Sequence, residues 1–323
     1  MKKLKIVIYI NILVLFAILL ISELVSKHLE NKGLIDLWVV QNPNMYPKGY
    51  ISKYLKYVKI PPFNYEKLVT NGLREVNKGR NTNKRPVVTI GCSYTYGTNL
   101  SNENQTFAAQ ISRVTGRTVY NRGVCGSGPQ MVYRQLIDKN FKNQVPDAEY
   151  IIYTFLSNDH IKRQFLYSLC GLDYDKVTPK YKIKNNHLEE DSFIWQKLLF
   201  FSLGRKFLVL RQEKEYKNEL KNNYPLFFRT MEECAKAVNK NYNNAKFVIL
   251  EVAPPRIIKD DSKPLSKENI KRLEKMGIIY INAEELVGHD FDNVKKYRVI
   301  DGNHPNGLMW QEIVLKLSKK LNL

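Results

Sequence analysis

From Pro86 onward, short runs rich in β-branched and aromatic residues alternate with stretches of helical periodicity, and this alternation confines the fold more tightly than any other feature. Two parallel strands cannot be joined by a tight turn; the chain must cross back over the sheet, usually as a helix. The pattern therefore predicts βαβ units and a parallel sheet covered on both faces. Five strands are expected, over Val87 to Ile90, Thr118 to Asn121, Tyr150 to Leu156, Lys246 to Val252 and Ile278 to Ile281. Apolar residues at mixed three and four spacing place helices over Thr106 to Val114, Gln130 to Asp138, Phe227 to Val238, Lys267 to Lys275 and Leu308 to Leu321. The expected class is α/β, a three-layer α/β/α sandwich around a five-stranded parallel sheet. In such sheets the working residues gather at the carboxyl ends of the strands.

The rest of the chain sets this body in context. Ile6 to Val25 is an apolar run, broken by Asn11 and Glu23 and preceded by Lys2, Lys3 and Lys5. It is long enough to cross a bilayer with its basic start in the cytoplasm. A cleaved signal peptide is the rival, but the run is long for one and Leu20 to Lys27 shows no small-x-small cleavage site. The division expected is an anchor over residues 1–27, a membrane-proximal arm over 28–85 and an α/β body over 86–323 with an insertion at about 161–225. Within the insertion, Ser192 to Leu210 is apolar, but Lys197, Gly204, Arg205 and Lys206 interrupt it and argue against a second span. An interfacial helix, a lid, or a helix pair packed on the body are the readings open there.

Charge and cysteine usage narrow the partners. The net charge of +20 comes from lysines scattered among Asn, Tyr and Glu, with no basic stripe and no zinc-finger, ribonucleoprotein or helix-turn-helix pattern. A basic solvated surface is expected, and no nucleic-acid partner. Four cysteines at 92, 125, 170 and 234 read as free, mostly buried thiols. Adjacent parallel strands leave a Cys92–Cys125 pairing open.

Chemistry enters through segments that put polar groups at strand ends. Gly91-Cys92-Ser93-Tyr94-Thr95-Tyr96-Gly97 follows the first strand, Ser157-Asn158-Asp159 the third, and Asp301-Gly302-Asn303-His304 precedes the final helix. They supply a serine, an amide, an aspartate and a histidine. Acyl transfer needs a nucleophile, a base, a carboxylate that orients the base, and donors for the developing oxyanion. Two segments alone have a plainer reading, a Gly-Ser turn or N-cap for Ser93 and an Asx-turn or helix cap for Asn158, and for Asp301 and His304 the functional rival is a metal-ligand pair. No His-x-x-x-His or Cys-x-x-Cys set accompanies that pair, so no metal and no cofactor are expected. Among the other histidines, His160 is a substitute base candidate more in keeping with a rim or surface position. His28, His187 and His289 lie in polar or membrane-proximal segments.

The serine segment resembles block I of the SGNH or GDSL hydrolase family, with Cys92 where the motif has aspartate. Asn121-Arg122-Gly123-Val124-Cys125-Gly126-Ser127-Gly128 resembles block II, Leu156-Ser157-Asn158-Asp159 resembles block III with Leu156 in the glycine position, and Asp301-x-x-His304 resembles block V. The resemblance spans about residues 86 to 320 in order. It implies a flavodoxin-like sandwich and assigns Ser93, Asp301 and His304 as catalytic. It also assigns the Ser93 and Gly126 N–H groups and the Asn158 side chain to the oxyanion hole. The activity implied is a serine esterase acting through an acyl-serine on ester substrates. With the anchor, this becomes removal of O-acyl groups, acetyl foremost, from a cell-envelope glycan outside the membrane. An O-acyltransferase for a cell-surface glycan, a lipase-like esterase and a non-catalytic glycan-assembly component are the alternatives.

Overall fold

The computed structural model describes residues 2–31, 79–80, 83–100, 102–124, 126–144, 147–164, 180–190, 223–254 and 264–323. Five strands, β1 (Val87–Gly91), β2 (Val119–Gly123), β3 (Tyr150–Phe155), β6 (Lys246–Glu251) and β7 (Ile279–Asn282), form one parallel sheet in the order β2-β1-β3-β6-β7. Two further strands, β4 (Tyr181–Lys184) and β5 (His187–Glu190), make a separate antiparallel hairpin inside the expected insertion. Its turn residues Asn185 and Asn186 have φ of 49° and 59°, the left-handed pair that a two-residue hairpin requires.

The helices are α1 (Lys2–Asn31), α2 (Ser93–Tyr96), α3 (Phe107–Thr115), α4 (Pro129–Ile137), α5 (Lys139–Gln144) and α6 (Ser157–Arg163), followed by α7 (Tyr224–Asn241), α8 (Lys267–Glu274), α9 (Ala283–Val287), α10 (Val294–Tyr297) and α11 (Gly307–Leu321). Every residue of β1 and β3 is buried, as a sheet covered on both faces demands. Alternation along β3 divides two cores. Ile151, Tyr153 and Phe155 pack with Val132, Leu136, Phe227, Met231 and Val238 of α4 and α7. Tyr150 and Ile152 face Phe107, Ile111, Trp310, Ile313 and Leu317 of α3 and α11. The three layers expected from the sequence are thus present.

α1 holds a 21-residue apolar stretch, Ile6–Ser26, of mean hydropathy 2.6. At 1.5 Å per residue it spans roughly 30 Å, the thickness of a bilayer core. The helix continues four residues beyond residue 27, to Asn31. Most of the arm, the Ser192 to Leu210 segment, Cys125 and Cys170 lie outside the described residues.

The third strand is one residue shorter than expected, ending at Phe155. Ser157 turns to φ 47°, breaking the extended run, and Asn158 begins the first turn of α6. His160 also differs from the expectation of a rim or surface position. It is fully buried, stacked on Tyr153 and edge-on to Phe155, with its Nδ1 2.7 Å from the Tyr153 hydroxyl. Burial, with help from Arg163, holds its pKa well below the usual imidazole value, so it is a neutral core residue.

Candidate active site

The strand order reverses at β1: the chain goes to β2 on one side and later to β3 on the other, and ligands bind in the crevice such a reversal opens. Register puts Gly91 of β1 opposite both Gly123 of β2 and Thr154 of β3. The loops carrying Ser93, Gly126 and Asn158 therefore leave the same edge of the sheet. Gly91 is required where it stands. Its φ is 149°, and an added Cβ would lie 2.4 Å from Thr95 Oγ1 and 2.6 Å from Thr154 Oγ1. The missing side chain lets the chain turn at once from β1 into α2, which starts at Ser93 and ends at Gly97 in a left-handed cap.

Ser93 is half-buried, and its Oγ donates to Nε2 of His304 at 2.8 Å. Nδ1 of the same ring donates to Oδ2 of Asp301 at 2.6 Å. This pattern fixes one tautomer, with the proton on Nδ1 and the lone pair of Nε2 facing the serine. Asp301 Oδ1 accepts the N–H groups of Asn303 at 2.8 Å and His304 at 3.0 Å, and Asn99 Nδ2 donates to Oδ2 at 2.6 Å. Burial of the carboxylate opposes its ionisation. The bonds from the His304 ring and from the two backbone N–H groups outweigh it, and Asp301 sits well below the usual carboxylate range.

The loop holding Asp301 and His304 is built as a short return. Val299 N–H bonds the His304 carbonyl at 2.9 Å, Asn306 N–H bonds the Tyr297 carbonyl at 2.9 Å, and Gly302 turns the corner at φ 72°. Arg298, only 5% exposed, clamps the loop from beneath, donating to the carbonyls of Asn303 at 3.1 Å and Ala253 at 3.1 Å. The Tyr94 hydroxyl donates to Asn303 at 2.9 Å, and its ring packs on His304 with centroids 5.4 Å apart. Burial raises the Tyr94 pKa well above the phenol value, so the hydroxyl stays a donor.

Cys92 is a second potential nucleophile in the sequence, beside the serine. It is fully buried, burial raises its thiol pKa, and its Sγ caps α2 by accepting from Tyr94 N–H at 3.5 Å. A protonated, enclosed thiol is inert as a nucleophile. Cys92 and Cys234 are both free thiols.

Two further groups stand at this edge. Gly126 occupies a turn at φ 75°, closed by a bond from Ser127 N–H to the Val124 carbonyl at 3.0 Å. Asn158, 4% exposed, accepts from the Tyr224 hydroxyl at 3.3 Å on its Oδ1, which sets the orientation of the amide. Arg163 ties the two together. Its Nη1 donates to the Ser127 carbonyl at 3.4 Å while Asp159, the residue after Asn158, holds its Nη2 at 2.6 Å.

Ser93, Gly126, Asn158, Asp301 and His304 thus lie at one end of the sheet, with Ser93, His304 and Asp301 in direct contact, whereas His160, the substitute base, is in the core. Sequence reasoning missed Asn99, Tyr94 and Arg298, whose polar contacts to the Asp301–His304 loop carried no local signal. A serine, imidazole and carboxylate bonded in this order can deprotonate the serine and hold the resulting imidazolium.

Compared with family models and with curated proteins, the chain finds no match. Among solved structures it is similar to a lipolytic protein of the G-D-S-L family from Desulfitobacterium hafniense DCB-2, at 12% identity and TM-score 0.42, over 73% of this chain and 99% of that one. The lipase Lip_vut3 from a goat rumen metagenome matches at 14% identity and TM-score 0.41, over 73% and 97%. A Clostridium thermocellum family 3 carbohydrate esterase matches at 9% identity and TM-score 0.41, over 73% and 94%.

Proposed function

We propose that the protein is a serine esterase of SGNH type that removes O-acyl groups, acetyl foremost, from a cell-envelope glycan. The observation that carries this reading is the chain of contacts from Ser93 through His304 to Asp301, at 2.8 and 2.6 Å. His304 takes the proton of Ser93 as Oγ attacks the ester carbonyl, and Asp301 supports the imidazolium. The Ser93 and Gly126 N–H groups and the Asn158 amide receive the oxyanion. The tetrahedral intermediate collapses to an acyl-serine, His304 returns the proton to the leaving alkoxide, and water, activated by the same imidazole, releases the acid. Location and the family resemblance together support the glycan substrate: in this reading α1 tethers the body beside the cell envelope and outside the cytoplasmic membrane.

The test is turnover of acetyl, butyryl and octanoyl esters by the full chain and by Ser93→Ala. The parent protein is expected to favour acetyl esters. Ser93→Ala is expected to lose at least about 10³-fold in kcat, since only binding and the oxyanion donors remain. Equal activity in the two proteins sinks the nucleophile, and steep preference for octanoyl sinks the acetyl-glycan substrate. Adding a sugar acceptor separates the acyltransferase, in which acyl transfer outruns hydrolysis.

A further inference from the structure

The corner that carries Asn158 is held in an unfavourable backbone conformation by a carboxylate that the proposed chemistry does not use. Leu156 leaves β3 at φ −101° and ψ 49°, and Ser157 follows at φ 47°, a left-handed geometry that non-glycine residues enter at a steric cost. That residue decides where α6 begins and so where the next side chain, Asn158, is carried. Ser157 is fully buried, and its Oγ donates to Glu251 Oε1 at 2.6 Å.

Glu251 ends β6 and pairs in register with Phe155, the last residue of β3. It is 1% exposed. Its other oxygen accepts from the Tyr280 hydroxyl of β7, from Leu265 N–H at 3.4 Å and from Asn282 Nδ2 at 3.4 Å. These donors fix the carboxylate from β7 and from the segment before α8, so it is a rigid post against which Ser157 leans. A stabilising role alone is a poor account of such a group, because burying an ionisable side chain is unfavourable and apolar replacements often serve stability as well.

We propose that Glu251 and Ser157 are positioning residues: bonded side chain to side chain, they hold the left-handed turn after β3 that delivers the Asn158 amide to the oxyanion. The inference rests on the proposed esterase reading and assigns its geometry to two residues outside the triad. Neither residue touches the substrate. Both act through Asn158, so their effects belong in kcat and should not add to the loss of Asn158 itself.

The experiment measures kcat and KM for p-nitrophenyl acetate with the full chain in detergent, comparing the parent with Asn158→Ala, Ser157→Ala, Ser157→Gly and the Ser157 variants combined with Asn158→Ala. Asn158→Ala is expected to lose about 10²- to 10³-fold in kcat. Ser157→Ala is expected to lose about 10-fold or more at nearly constant KM, because a displaced donor is a weakened one. Each double variant should be no slower than Asn158→Ala. Ser157→Gly removes the hydroxyl without backbone strain, so it tests the bond even if Ser157→Ala folds poorly. Glu251→Gln can turn its carbonyl oxygen to the donors at Tyr280, Leu265 and Asn282 and its amide N–H to Ser157 Oγ, so the side-chain bond to Ser157 is kept and kcat is expected to stay within about 3-fold of the parent, whereas Glu251→Leu should match Ser157→Ala.

Losses that multiply with that of Asn158→Ala, or parent kcat in both Ser157 variants beside an impaired Asn158→Ala, overturn the positioning role and leave the esterase reading intact. Parent kcat in Asn158→Ala overturns the oxyanion role of that amide, and this inference with it.

Discussion

Four donors converge on one carboxylate at Asp301, and the consequence is a group that stays ionised in the folded protein. The His304 ring and Asn99 meet one oxygen, and two backbone N–H groups meet the other. The folded-state pKa is depressed, so the stabilisation it brings is fully present above the unfolded value of about 3.9 and is lost as pH falls through the lower folded value. The melting-temperature gap between the parent and Asp301→Asn should therefore be wide at pH 6 and should narrow progressively toward about pH 2. A gap independent of pH over that range contradicts the assignment. Asp301 and His304 were legible in the sequence because Asp-x-x-His directly before the final helix resembles block V of the SGNH family. Asn99 was not, since an asparagine two residues past a glycine cap reads as turn chemistry until the Asp301 loop arrives beside it.

Among the elements, the junction between β1 and α2 is the least forgiving. A strand that must deliver a half-buried serine at the start of a helix has no room for a side chain at the bend. Gly91→Ala would set a methyl group against Thr95 and Thr154, at distances of 2.4 and 2.6 Å that real Cβ atoms do not adopt. It is expected to destabilise the protein by at least about 2–3 kcal/mol in denaturant unfolding, a loss near zero being incompatible with the packing described. The five strands were legible to within two residues, because buried parallel strands are short β-branched runs and helices between them keep their apolar stripe. α6 was not legible. Ser157-Asn158-Asp159 reads as a turn after the strand, and the bond that joins Ser157 to a carboxylate on a neighbouring strand is written only in the tertiary structure. His160 was misplaced for the same reason: polarity suggested a rim, whereas the start of α6 rotates it into the core against Tyr153 and Phe155.

For the whole molecule, the decisive relation is between the α/β body and α1. A helix with 21 consecutive residues of mean hydropathy 2.6 is expected to keep the full chain in the membrane pellet through washes in alkaline carbonate and in 1 M salt. Release by salt would mark a basic protein held only by charge. An N-terminus of the mature protein found beyond residue 26 would mark a cleaved signal. The sequence by itself determined the layers, the order of the elements and the apolar N-terminal helix, because each is written in local periodicity or in residue type. Only the tertiary structure decided that Ser93 and His304, 211 residues apart, stand 2.8 Å from each other, and that Glu251 reaches Ser157. Local preference sets the face a residue occupies within its own element. Which elements become neighbours, and in what register, is set by the packing of the whole sheet.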